Sequence, residues 1–445
     1  MSSNALDALV NFVQQTWADI PTPLLLAITI ILPFIPVVFL YVLTRVQWED
    51  PVPPPLGCRK LGRNGRSNLS DQYAKSYAKG GESAPHNRWR VKALFTYPLK
   101  SCAPIELDST EIVRTGLRYD RQFTFGQQVT GLPSLEGKVK SEWTFITQRT
   151  FPRLAKVETE IWVPDPAAPG YSPDAEYVKS EGCLVVCFPF SPDTDFSIAG
   201  LKNYGKILAA KLSGKTEPMV EFRVPFNPPK ERIQKMKYRS EKMKIWNDTP
   251  EALNIESEIP EEMMAKLKYT LGVANPLTLF RIDTAKYRRV LEHVPKETDT
   301  GFPTIIGMHD AYPMHIMNLA SVHDVSSKLP KRSKPLNALR YRANVYITGP
   351  PAFNEDDWAK ARIGNNAYHI SCRTTRCKLP NVDPETGVAD RNEPGTTMRK
   401  YRIITKGSQS ACLGMQVSPL IDNGVITVND EVEVLETGEH FFVKK

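Results

Sequence analysis

Charge disappears from the chain between Leu24 and Thr44, where Leu, Ile, Val and Phe dominate. Roughly 21 residues rising 1.5 Å each give about 31 Å of helix, the thickness of a hydrocarbon core. The pattern predicts one transmembrane helix over 23–44, kinked at Pro33 and Pro36, with Trp17, Tyr41 and Trp48 where interfacial aromatics stand. No Lys or Arg precedes the apolar run, which argues against a cleaved signal peptide and leaves 1–22 as a short N-terminal segment. Arg45, Arg59, Lys60, Arg63 and Arg66 follow the run, against only Asp7 and Asp19 before it, so the positive-inside rule places the C-terminal bulk in the cytosol. Residues 45–87 carry PVPPP and then Gly, Ser, Lys and Arg without apolar period, the composition of a basic, solvated linker.

Alternation starts at Trp89. Val91, Ala93 and Phe95, then Ile105 and Leu107, then Phe123 and Phe125 predict strands joined by tight connections, followed by strands around Thr144–Ile146 and Leu154–Trp162. Gln127–Glu142 is polar and Gly-containing, hence a loop. Ile198–Leu212 has helical period. Asn227–Lys244 is densely basic, a solvated helix or loop or else a docking site for an acidic protein. Further on, EEMMAKLKYTLG reads as helix, TLFRID as strand, Asp310–Leu329 as strand and helix, and LRYRANVYIT as a strand with Arg340 and Arg342 on one face. EDDWAKARI predicts a short helix with an acidic first turn, and GVITVNDEVEVLE two short strands about an Asn-Asp turn. The elements describe a β-rich α+β protein.

Composition narrows the chemistry. A chain of 445 residues can build two or three cores. Its seven cysteines form no CxxC pair and have no His at zinc-finger spacing, which excludes a structural zinc or an iron–sulfur site and suits a reducing compartment. A net charge of +8 without nucleic-acid motifs points to an anionic partner and not to nucleic acid. There is no GxGxxG, P-loop, GxSxG or HExxH.

The stretch richest in chemistry is HISCRTTRCKLPNVDPETG, His369–Gly387, where a strand over Ala367–Cys372 runs into a loop closed by Asp-Pro and Thr-Gly turns. Cys377 stands there directly after Arg376 and four residues after Arg373, and nearby positive charge favours the thiolate required of a nucleophile or metal ligand. A half-buried cysteine beside two solvated arginines accounts for the same window. Arg342 reads as an outward charge or an anion ligand, and spacing alone favours the outward charge.

YPLKSC, GLRYDR, ITQRTFPRLAKV, RYRANVYI, RCKLPNVDPETG and the closing CLGM with GVITVNDEVEVLE, in that order from about Arg90 to Phe442, resemble the MOSC family, and within it the membrane-anchored amidoxime-reducing members. The resemblance implies an N-terminal MOSC-associated β-barrel-like domain over 88–220, a MOSC β-barrel domain over 260–442, and a molybdenum cofactor between them, a pterin with a phosphate and a dithiolene. Cys377 corresponds to the protein ligand of the metal, and so to the catalytic residue. Lys100, Ser101, Arg121 and Arg342 correspond to cofactor contacts, as do the loop positions Thr374, Thr375 and Arg376. Arg forks, a Lys point charge and a hydroxyl suit an acceptor-rich phosphate and pterin, and the neighbouring arginines would tune the sulfur.

The implied activity is reduction of small N-hydroxylated compounds, amidoximes and N-hydroxylamines, with electrons from a cytochrome b5-type donor and its NADH-dependent reductase. The implied location is the mitochondrial outer membrane, although the endoplasmic reticulum suits such an anchor too. Pyridoxal phosphate binding enters only as a family-level expectation. Departures from the family pattern are the expanded Gln127–Glu142 and 225–300 stretches, Ala343 where related chains often have Pro, and Thr in TTRC where they often have Ser. These bear on substrate scope and donor docking. The alternative from another class is a MOSC-type cofactor-binding or sulfur-carrier protein, with a persulfide on Cys377 and no reductase activity. A membrane-tethered scaffold is the third.

Overall fold

The computed structural model describes residues 21–45, 52–84, 88–133, 139–331 and 333–441. Contacts divide the chain into two compact units, Met1–Pro53 with Phe190–Pro218, and Pro54–Pro189 with Met219–Lys445.

The larger unit is built on an eight-stranded sheet. In spatial order its strands are Val432–Thr437, Trp358–Ile363, Asn366–Thr375, Cys412–Pro419, Met314–Asn318, Val345–Thr348, Arg90–Thr96 and Ile105–Leu107. Its apolar side chains, among them Phe95, Tyr97, Met317, Tyr346 and Leu413, form one core with Tyr341 and the helix Leu319–Ser327. The next element is a closed five-stranded barrel of Arg239–Lys244, Glu251–Asn254, Leu277–Ile282, Phe123–Thr130 and Ser141–Phe145. Met243, Ile245, Ala252, Phe280, Ile282 and Met308 fill a second core. A four-stranded sheet runs Cys58–Leu61, Glu158–Pro164, Cys183–Pro189, Met219–Pro225.

The two expected barrel domains are not separate in space. Arg90–Thr96 pairs with Val345–Thr348 in one sheet, and the closed barrel combines strands from 123–145 with strands from 239–282. The basic Asn227–Lys244 stretch is therefore a barrel component. It forms a helix over Lys230–Lys235 and the barrel strand Arg239–Lys244, and three of its seven basic side chains are ion-paired: Arg232 with Glu258, Arg239 with Glu256, Lys244 with Glu142. The predicted Gln127–Glu142 loop is shorter than expected, because its ends, Gln127–Thr130 and Ser141–Glu142, pair as strands of one hairpin.

Residues 52–84 are not a free linker. Cys58–Leu61 adds a strand to Glu158–Pro164, Leu69 is buried, and the Gln72 side chain accepts from Ala338 N at 2.7 Å. Of the basic side chains read as tether charges, Lys60 is salt-bridged to Glu160 at 2.5 Å and Arg63 to Asp108.

Three further expectations change. LRYRANVYIT is a 3-10 turn over Ala338–Tyr341 and then a strand only from Val345, because Arg342 takes a left-handed backbone that ends the turn. EDDWAKARI is one 3-10 turn followed by the strand Trp358–Ile363, whose Trp358, Ala361 and Ile363 are buried, so tertiary packing overrides the acidic-start signal. The two closing strands do not form a hairpin: Asn423–Thr427 pairs with Ser109–Val113, and Val432–Thr437 with Trp358–Ile363.

In the smaller unit, the expected single transmembrane helix over 23–44 is two helices, Thr22–Ile31 and Phe34–Arg45. Pro33 has no N–H to continue the ladder, and Ile35 N bonds back only to Leu32 O at 3.3 Å. Among the described residues no helix is long and apolar enough to cross a membrane. Trp17, Trp48, Asp7 and Asp19, used in the topology reading, lie outside the described residues. The helix Ile198–Leu212 forms as the period predicts and packs against Phe34–Arg45.

Candidate functional site

The sheet order explains the site. Arg90–Thr96, Val345–Thr348, Met314–Asn318, Cys412–Pro419 and Asn366–Thr375 are consecutive neighbours, and segments flanking them enclose a cavity of about 220 Å3. All eight residues singled out in the sequence, Lys100, Ser101, Arg121, Arg342, Thr374, Thr375, Arg376 and Cys377, line it.

Its cationic floor rests on strained backbone. Ser101, Arg121 and Arg342 have φ of 66°, 47° and 52°, a region non-glycine residues adopt only when surroundings hold them there. Arg121 N bonds to Tyr97 O at 2.8 Å, and Lys100 N to Phe123 O at 2.9 Å. The guanidinium carbons of Arg121 and Arg342 lie 4.9 and 4.3 Å from the Tyr97 ring centroid, so one buried aromatic supports both cations. Arg342 Nη1 donates to Cys102 O at 2.7 Å, while Arg342 Nη2 is buried with no partner. Thr374 Oγ1 is likewise buried and unpartnered. Unsatisfied polar atoms of this kind cost free energy unless something else meets them.

Asp120, His309, Asp310 and Asn344 were not singled out in the sequence, and all four belong to this site. Asp120 is fully buried against Arg121 and accepts Tyr97 N at 2.7 Å. Burial opposes its ionisation, but the Arg121 guanidinium, His309 and the Tyr97 N–H prevail and hold it down to about 2. His309 Nδ1 accepts from Gly307 N at 3.2 Å, which leaves the ring proton on Nε2, 3.2 Å from Asp120 Oδ2 though off the hydrogen-bond line. Burial, only partly offset by Asp120, lowers this imidazole to about 4. Lys100 Nζ donates to Asp310 Oδ1 at 2.6 Å and to Met308 O at 2.9 Å. Burial pulls the ammonium down to about 8 against the opposing attraction of Asp310. Asp310, whose side chain is 59% exposed, also accepts from Trp246 Nε1 at 2.8 Å. Asn344 accepts from Arg121 at 3.3 Å and from His315 N at 3.1 Å, tying two strands together. One signal was available: Asp120 directly precedes Arg121 in GLRYDR, and a buried arginine needs a carboxylate.

Cys377 is exposed, and its Sγ accepts the Leu379 N–H at 3.4 Å. The two arginines beside it in sequence are occupied elsewhere. Arg373 donates to Asp356 O at 3.0 Å and to Asp357 Oδ1 at 2.8 Å. Arg376 donates from Nε to Leu413 O at 2.9 Å, from Nη1 to Tyr341 O at 3.2 Å, and from Nη2 to Leu413 O and His315 Nε2 at 2.5 and 2.6 Å. Its guanidinium thus braces the sheet from inside, and burial lowers it to about 10. Gly414 permits this approach, since a Cβ there would meet His315 Nε2 at 2.5 Å.

The cavity suits an elongated anion with acceptor-rich edges beside an exposed sulfur. Among the described residues no three His, Cys, Asp or Glu side chains are grouped to hold an ion, so a metal at Cys377 would need ligands carried by its own cofactor.

The MOSC domain family matches residues 303–433, and the MOSC N-terminal beta barrel domain family matches residues 88–180, between them about half of the chain. With its sheet, barrel and cysteine loop, the chain belongs to the MOSC proteins. Within that class it resembles the mitochondrial amidoxime-reducing components. Component 1 of Mus musculus is 35% identical over 135 residues, 29% of this chain and 38% of that protein. Component 2 of Bos taurus is 33% identical over 130 residues, 29% and 36% of the two chains, and component 2 of Homo sapiens 30% over 152 residues, 34% and 41%. The chain thus spans about two fifths of the length of the curated relatives it matches.

Proposed function

We propose that this protein is a molybdenum-cofactor-dependent oxidoreductase that reduces small N-hydroxylated compounds, amidoximes and N-hydroxylamines, with electrons from a cytochrome b5-type donor and its NADH-dependent reductase. The observation that carries the proposal is the cavity that sets an exposed Cys377 beside Lys100, Arg121 and Arg342, with Arg342 Nη2 and Thr374 Oγ1 left without protein partners. Those residues fit the cofactor: the cations and the two orphaned atoms would hold its phosphate and pterin, and Cys377 would supply sulfur to the metal. When bound, the cofactor supplies the two-electron chemistry of N–O reduction. The residues of the chain do the positioning. Asp120 and Tyr97 fix the Arg121 guanidinium, and Arg376 holds the loop strand so that Cys377 stays at the rim. Asp310, exposed at the mouth and bonded to Lys100 Nζ, connects a buried ammonium to water and so to the protons that N–OH reduction consumes. The apolar helices Thr22–Ile31 and Phe34–Arg45 would meet a membrane; the relatives' names point to the mitochondrion, and our reading is its outer membrane, with the endoplasmic reticulum as the other candidate and the MOSC body on the cytosolic side.

The test is molybdenum and pterin content of the full chain, made in a host that synthesises the cofactor, beside Cys377→Ser. Near one of each per chain, with metal lost in the variant, supports the proposal. The absence of both would overturn it. The exposure of Cys377 favours one second reading, a sulfur carrier, which a cyanide-labile persulfide in place of metal would support.

A further inference from the structure

Phe190–Pro218 is an excursion between the paired strands Cys183–Pro189 and Met219–Pro225, and its main element is the helix Ile198–Leu212. Ser197 caps it, its hydroxyl accepting Gly200 N at 3.0 Å. Leu201, Tyr204, Leu208 and Leu212 recur along one arc of the helix yet remain 58%, 57%, 37% and 48% exposed. Phe196, just before the helix, is wholly exposed. Among the described side chains of the helix the buried positions are small ones, Gly200, Gly205 and Ala210. A helix that served only to cap a protein core would place its large apolar residues inward, so the outward arc requires a cover.

Two observations indicate what covers it. The helix itself carries Lys202, Lys206 and Lys211 and no acidic residue, with Asp193, Asp195 and Glu217 confined to the segments before and after it. A second copy of the chain laid on this face would bring like charge against like. The helix also packs against Phe34–Arg45 within the same unit, and that helix exposes Phe34, Ile35, Val37 and Val38 at 55–60%. A basic amphipathic helix beside an apolar one fits the boundary of an anionic bilayer, where Leu and Tyr enter the acyl region and Lys side chains reach the headgroups.

We infer that Ile198–Leu212 is an interfacial helix that lies on an anionic membrane surface. This rests on the proposal that Thr22–Ile31 and Phe34–Arg45 meet a membrane, and it is independent of the cofactor reading.

The experiment follows flotation and amide hydrogen exchange of the full chain with vesicles of phosphatidylcholine, alone or mixed with phosphatidylserine, beside the double variant Leu201→Glu, Leu208→Glu. Exchange across 198–212 should slow by about tenfold with the mixed vesicles. The slowing should be weaker with phosphatidylcholine alone and lost in the variant, which still floats on its apolar helices. Flotation without slowed exchange across 198–212 overturns the inference alone. Failure of the parent chain to float overturns the anchor reading and the inference with it. Protection that rises with protein concentration in the absence of lipid assigns the face to a second copy and also overturns it.

Discussion

Two pairs of arginines belong to the cavity or to the loop beside it, and they have opposite relations to it. Arg373 and Arg376 closely precede Cys377 in sequence, but one is paired to Asp357 and the other has all three guanidinium nitrogens donating to protein acceptors. Arg121 and Arg342 are remote from the cysteine in sequence and stack on the same Tyr97 ring, and Arg342 keeps a buried Nη2 without a partner. Both members of the second pair hold left-handed backbone, whereas Arg376 follows directly on a strand. A residue next to a reactive group can be structural, while a residue whose backbone is strained and whose donors are unmet has been kept for something outside the chain.

The contrast can be broken most forcefully at the sulfur. Cys377→Ala should leave a folded protein, since the side chain is exposed, with turnover down by ~100-fold or more. Amidoxime reduction with a chemical reductant measures it, and substantial retained activity would remove the ligand assignment. The two arginine classes should then separate crosswise. Arg376→Gln should cost about 3–5 kcal/mol in urea unfolding, because it strips a buried hydrogen-bond network. Arg342→Gln should stay within about 1 kcal/mol of the parent in the same assay yet lower cofactor retention about 10–100-fold. Equal losses of both kinds in both variants would erase the distinction.

Acid should act through the Asp120–His309 pair. The folded His309 value near 4 lies below the unfolded 6.5, so the unfolded chain binds more protons between those limits and stability falls as pH drops through them. The integrated effect is about 3 kcal/mol, and His309→Asn should flatten the slope in that window. Below it, the lowered Asp120 continues the loss between the unfolded 3.8 and about 2. The smallest effect belongs to Lys100. Its ammonium loses charge as pH rises through about 8, so inorganic phosphate should bind the cofactor-free cavity less tightly above that pH, by less than about tenfold. Stability should move the other way, rising from about 8 toward the unfolded 10.5, because deprotonation relieves the burial penalty. Lys100→Met should show neither trend.

The cysteine loop, the YPLKSC turn and the two spaced arginine motifs were legible because each is a short, ordered signature, and all eight positions they name line one cavity. Asp310 and His309 left no such mark: a carboxylate and an imidazole in a loop look alike whether they face solvent or a buried lysine. The barrel was legible only in part. Alternation at Phe123–Phe125 and TLFRID announced strands, but the basic Arg239–Lys244 read as surface because only Met243 of its side chains is buried, and closure by parallel pairing with Ser141–Phe145 is a long-range choice. EDDWAKARI misled for the opposite reason, since the apolar Trp358, Ala361 and Ile363 satisfy burial in a strand that its first turn does not announce.

By itself, then, the sequence determined the strands at Phe123–Phe125 and TLFRID, the amphipathic Ile198–Leu212 helix and the Cys377 loop, because period, turn residues and capping act over a few neighbours. It also determined the apolar character of 22–45, while Pro33 decided that this stretch is two helices. Tertiary structure alone decided that Arg90–Thr96 joins the sheet of Val345–Thr348, that Tyr97 supports Arg121 and Arg342 together, and that Arg376 turns inward to Leu413 and His315. Those outcomes depend on which distant acceptors and rings burial brings within a few ångströms, and no local pattern encodes that.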